Sequence, residues 1–168
     1  MKAIQQVDQF KALDACHQQI HEHLAELADL LTRLDTESDS PHCRQKAQTI
    51  EAFFSEVGRP HHAEEEKNIF PMLLASDNAE LVQAVRTLQQ DHGWIEQNWL
   101  ELAPMLRAIA QGEDWADMAE LKHNAEVFVS LCHDHIVLEE SLIYPEAKAR
   151  LAGELASRAV RLAQQATS

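Results

Sequence analysis

Four long stretches of this sequence place apolar residues three and four apart, the spacing that gives an α-helix one buried face. The first runs from about Lys2 to Leu34, with Phe10, Leu13, Ile20, Leu24, Leu27 and Leu31 on one stripe. The second runs from about Pro41 to Ala75, the third from about Ala79 to Gln111, and the fourth from about Ala116 to Ile143. Between the first two lies the polar connection "DTESDSP", with Ser40 placed as an N-cap and Pro41 at the first helical position. "VGRP" predicts a kink or short break near Gly58 and Pro60, and Pro104 predicts a late kink in the third segment. Pro145 interrupts the fourth, after which "AGELASRAVRLAQQ" reads as a short terminal helix. With only 4 glycines and 5 prolines, the chain is poor in the turns that strands need. Long helices joined by short connections predict an all-α, antiparallel up-down four-helix bundle with a short C-terminal helix. The length of 168 residues suits one domain, residues 1–168.

Charge and cysteine usage narrow the function. The net charge of −14 argues against nucleic-acid partners, which need a basic face, and against docking on anionic membranes. The three cysteines, Cys16, Cys43 and Cys132, form no C-x-x-C and read as reduced, idle thiols. The N-terminus has no apolar leader core and no run is long enough to span a bilayer, so the expected setting is soluble and cytoplasmic. Trp94 and Trp115 read as surface or interface residues.

Histidine is the anomaly, with 10 residues in clusters. In "RPHHAEEEKNIFP", His62 and Glu66 are one helical turn apart, and Ile69 and Leu73 continue their stripe. That phase points His62 and Glu66 inward and sends His61 and Glu65 to water. In "LCHDHIVLEESLIYP", His135 shares a stripe with Phe128, Leu131, Leu138 and Leu142, and Glu139 follows it by one turn. Glu140 takes the place of Glu139 only if a π-bulge widens the helix. The third segment offers His92, with Glu96 near the edge of its face. The first offers His17, with His21 as a supporting group behind it. At about 1.5 Å per residue, these positions on the four segments fall within about 5 Å of one level.

Four imidazoles and two carboxylates at one level suit iron or manganese better than structural zinc or calcium. Six protein groups exceed the needs of one metal, and two shared carboxylates describe a dinuclear centre. The ferritin-like plan needs E-x-x-H pairs. This chain has instead one His, H-x-x-x-E, one His and H-x-x-x-E on successive segments.

Across "CHQQIHEHLAEL", "HHAEEEKNIFPMLL", "DHGWIEQNWLEL" and "HIVLEESLIYP", the chain resembles the hemerythrin-like, or HHE cation-binding, family. The resemblance implies a four-helix bundle around a non-haem centre of two iron ions, oxo- or hydroxo-bridged, with manganese or zinc as substitutes. The ligands it implies are His17, His62, Glu66, His92, His135 and Glu139. It further implies binding of oxygen or a related diatomic such as nitric oxide, for sensing, buffering or delivery. The chain departs from oxygen-carrying hemerythrins in having Glu96 where they have a second third-helix histidine. It also has a glutamate where they have a bridging aspartate on the fourth helix. Those departures keep a second reading open: a redox enzyme or iron-handling protein, acting on peroxide or nitric oxide or donating iron for cluster repair. A metal-free helical interaction module is the third.

Overall fold

The computed structural model describes residues 2–37 and 39–167. Ser38, in the polar connection, and the two terminal residues of the expected domain lie outside them. The elements are α1 (Lys2–Glu37), α2 (Pro41–Asn68), α3 (Phe70–Leu74), α4 (Ala79–Gln111), α5 (Met118–Leu138), a π-helical turn (Glu139–Ile143) and α6 (Tyr144–Ala166). Among the described residues there is no strand, and no helix is long and apolar enough to cross a membrane.

The helices begin where local chemistry supplies caps. Ser40 Oγ accepts from the Cys43 amide at 3.1 Å, with Pro41 opening α2 as expected. Asn78 Oδ1 accepts from the Glu80 and Leu81 amides at 3.1 and 3.3 Å, and Asp117 Oδ1 from Ala119 and Glu120 at 2.8 and 3.0 Å. Each such cap contributes about 1 kcal/mol. α4 stops at Gly112, whose φ of 72° closes the last turn in the left-handed conformation that glycine adopts without strain.

Helices α1, α2, α4 and α5 form a ring, α1 packing on α2 and α5, and α4 on α2 and α5. Cross-helix pairs fix the direction of each neighbour. Asp29 meets Lys46, and Gln9 meets Glu64. Glu51 meets Arg107, and Glu66 meets His92. Asp35 meets Lys122, and Asp14 meets Lys148. In each set one number falls as the other rises, so neighbours run antiparallel, as the sequence predicts.

The interruptions differ from expectation in two places. α2 runs unbroken through Pro60, and the break falls at Ile69, ahead of Pro71. A proline ring clashes with the carbonyl four residues back, which is why α2 closes at Asn68 and α3 starts afresh. At the far end, Pro145 breaks nothing. It stands in the first turn of α6, where its missing N–H is not needed, and α6 spans 23 residues rather than forming a short appendage.

Two apolar clusters fill the ring. One includes Ile20, Leu24, Leu27, Phe54, Leu102, Leu106, Phe128 and Ile136. The other includes Phe10, Leu13, Ile69, Phe70, Leu88, Ile143 and Tyr144. Between the two clusters the buried side chains include His17 of α1, His61, His62 and Glu65 of α2, His92 of α4 and Glu139 of the π turn.

Replacing Gly112 by alanine should lower stability by about 1–2 kcal/mol, because a Cβ strains a left-handed residue. It would also stand 2.8 Å from the Arg44 guanidinium. Urea denaturation of Gly112→Ala beside the parent chain measures the loss.

Candidate metal centre

The buried polar and charged side chains are His17, His61, His62, Glu65, His92, His135 and Glu139. They form one layer. His17 Nε2 lies 3.0 Å from Glu139 Oε2, and His61 Nε2 lies 3.3 Å from Glu65 Oε1. His92 Nε2 is 3.4 Å from the same Glu65 oxygen and 3.1 Å from His135 Nε2, which in turn contacts Glu139 Oε1. His62 stacks on His92 with ring centroids 3.9 Å apart.

The layer resolves into overlapping donor sets. His17, His61, Glu65 and Glu139 offer ligand atoms within 4.8 Å of one another, as do Glu65, His92, His135 and Glu139. His62 joins His92 and His135 in a third set. Glu65 and Glu139 belong to both carboxylate-bearing sets, the placement two bridging carboxylates require. Glu65 Oε1 and both carboxylate oxygens of Glu139 are buried without a hydrogen-bond partner. Buried charged oxygens in that state are costly unless a cation meets them. The donor set therefore fits metal, and imidazole mixed with carboxylate fits iron or manganese.

Carboxylates outside the layer aim the imidazoles. His92 Nδ1 donates to Glu66 Oε1 at 2.9 Å, and His62 Nδ1 to Glu96 Oε1 at 3.2 Å. Glu140 Oε1 stands 3.3 Å from His17 Nδ1, and Asp91 Oδ2 stands 3.5 Å from His135 Nδ1. An acid behind Nδ1 favours the tautomer whose Nε2 lone pair faces inward and makes that nitrogen a better donor.

Of the residues predicted from sequence, His17, His62, His92, His135 and Glu139 come together. Glu66 does not: its side chain is 46% exposed against 0% for Glu65. The expectation that His61 and Glu65 face water is corrected, since both are buried in the layer. The error was one of phase. Cys43, Ala47, Ile50 and Phe54 set the inward stripe of α2, and continuing it by threes and fours through an unbroken Pro60 arrives at His61 and Glu65. Glu96 likewise grips His62 rather than joining the donor sets.

The π turn exists, yet it selects Glu139 rather than Glu140. Its effect falls on the residues that come after it. The Tyr144 amide bonds the Glu139 carbonyl, five residues back, and the wide turn buries Ile143 and Tyr144 side by side. Tyr144 Oη donates to Glu65 Oε2 at 2.9 Å and lies 3.2 Å from His17 Nε2. Its ring stacks on His17, centroids 4.8 Å apart. Sequence reasoning missed Tyr144; the signal was a phenol immediately before a proline, one wide turn below a buried glutamate.

Burial governs the protonation states. It pushes the His61 imidazole down to about 4 and His62 down to about 2, and it lowers His92 as well. Burial and the adjacent Glu139 charge raise Glu65 well above the carboxylate range. Burial also opposes charge on Glu139, but the adjacent Glu65, His135 and His17 side chains outweigh it and hold that carboxyl well below. Without a cation, the two acids are thus held as one proton-bearing and one charged.

The profile of the hemerythrin HHE cation binding domain matches residues 8–147. The chain belongs to that family. An uncharacterized protein of Haemophilus influenzae is 26% identical over 130 residues, covering 77% of this chain and 73% of the relative. No solved structure matches.

Metal-free protein should lose stability as pH falls from 6.5 towards 4. The unfolded chain protonates its imidazoles near 6.5, while folded His61 resists until about 4 and His62 further still. Stability is fully present above 6.5 and declines below it, by up to about 1.4 kcal/mol per pH unit for each such group. Glu65 acts in the opposite sense, alone against three imidazoles. Denaturant midpoints at pH 7.5 and pH 5, with chelator present, should show the fall; equal midpoints would contradict it.

Proposed function

We propose that this protein, as a single hemerythrin-like unit, holds two iron ions in the buried layer and binds oxygen or a related diatomic there. The observation that carries the reading is the sharing of Glu65 and Glu139 between two donor sets with His17 and His61 on one side. His62, His92 and His135 lie on the other. When bound, paired iron would supply open coordination positions and electrons to a small ligand.

The protein's own part is positional and electrostatic. The outer acids lock the imidazoles with Nε2 inward, so little reorganisation accompanies binding. The two apolar clusters keep the layer dry from above and below, which strengthens every charge interaction within it. Tyr144 holds a proton at Oη beside Glu65, and burial and the neighbouring carboxylates raise its pKa so that it stays a donor. A cavity of about 260 Å³ reaches His61, His62 and His135 from outside between α2, α4 and α5, giving a ligand its path. The three cysteines are free, which supports a reducing, cytoplasmic setting.

A redox enzyme is the second reading, and Tyr144 is what favours it. A buried phenol bonded to a metal-side carboxylate is placed to yield a proton and an electron together. A metal-free module is disfavoured by the cost of the unpartnered carboxylate oxygens.

Anaerobic loading should give about two iron ions per chain, with a visible absorption band on adding oxygen. One ion per chain would overturn the dinuclear reading, and turnover of peroxide without a stable oxygen-dependent band would favour the enzyme. His61→Ala and Glu65→Ala should each drop iron to about one ion or fewer, whereas Glu66→Ala should keep about two. Elemental analysis of the three variants separates the buried pair of α2 from its exposed neighbour.

A further inference from the structure

We propose that the cavity beside the histidine layer is a binding site for a neutral mono- or bicyclic aromatic molecule. The inference deepens the reading of the same centre, since its inner end is formed by metal-side histidines, but the walls belong to the protein alone.

Size is the first argument. The cavity holds about 260 Å³. An apolar cavity of about 150 Å³ accommodates benzene. A diatomic would leave most of this space unfilled, whereas a substituted benzene or a fused pair of rings would occupy it.

The wall chemistry is the second. Phe54, Trp99 and Phe128 line the cavity and pack on one another, with centroid separations of 5.3, 5.0 and 5.1 Å at tilted and edge-on angles. Such an arrangement offers both ring faces and ring edges to an aromatic guest. Trp99 Nε1 already donates to Ser55 Oγ at 3.3 Å, which fixes the indole and leaves no free donor in that wall.

Charge selects a neutral guest. Both arginines at the rim are engaged, Arg107 with Glu51 at 2.8 Å and Arg59 with Glu96 at 3.8 Å. The walls themselves hold nothing that would offset the desolvation of a carboxylate.

The test uses 4-fluorobenzyl alcohol as a probe, followed by fluorine NMR with metal-free and with iron-loaded protein. Saturable broadening is expected in both, with a dissociation constant below about 1 mM, within reach of a ligand of this size in a preformed apolar pocket. To the metal-free protein 4-fluorobenzoate should bind at least about tenfold more weakly, for lack of a cation. Leu100→Trp at the exposed rim and Ala103→Leu in the wall should each weaken the alcohol at least about tenfold by filling space. Leu100→Trp should also keep the circular dichroism and iron content of the parent. Absence of saturable broadening overturns the proposal, as does undiminished binding to the folded variants. Benzoate binding to the metal-free protein as tightly as the alcohol overturns the neutral class. Binding seen only with iron loaded also overturns it, since the wall then holds nothing by itself. Failure to load iron sinks the metal reading and leaves the metal-free measurement standing.

Discussion

Glu65 and Glu139 are wholly buried, and the interior of the bundle is arranged around the cost of placing two carboxylates there. Removing one such group from water costs several kcal/mol even after relaxation, comparable with the whole stability of many domains. Shape alone cannot offset that. What offsets it is a set of imidazoles from α1, α2, α4 and α5, a phenol from α6, and donor groups that could hold a metal ion. The apolar clusters above and below make the layer possible by fixing the helices at their ends, and they raise its cost by excluding water. A chain that keeps both acids under these conditions is organised for binding charge, and its stability is coupled to what it binds.

The acids outside the layer repeat the logic one step further from the axis. Glu66, Glu96, Glu140 and Asp91 each stand behind an imidazole whose front faces the interior. They meet the imidazoles from the partly exposed side of the layer. The strongly acidic composition thus has a local use near the centre. Arg59 tempers it at the rim, sharing Glu96 with His62.

Much of this was legible in the sequence, and the exceptions have physical causes. Ser40 and Pro41 mark the start of α2 through local chemistry that needs no knowledge of the fold. His17, His92 and His135 sit on stripes long enough for their phase to be read directly. The α2 pair was misread because two anchors disagree: the stripe from Cys43 to Phe54 points to His61 and Glu65, while Ile69 and Leu73 point equally well to His62 and Glu66. The second anchor lies beyond the break at Ile69, so its phase carries no authority over α2. Pro60 stands inside α2 without ending it, so the stripe keeps its phase across that position. Tyr144 escaped notice because its placement depends on a turn of five residues, which no periodicity of 3.6 foresees.

That wide turn also divides the last third of the chain into two registers. Residues up to Glu139 are timed to the polar layer, and residues from Ile143 onward are timed to the lower apolar cluster, through Tyr144, Ala147 and Leu151. An ordinary α-helical turn could serve one schedule or the other, since it rotates about 100° per residue and has no slack. The extra residue supplies the slack. Shortening the segment by one position would leave the buried imidazole of α5 untouched and still swing the phenol and the whole inner edge of α6 away by about a quarter of a revolution. The integrity of the centre is therefore sensitive to chain length at a place where no donor to it is altered.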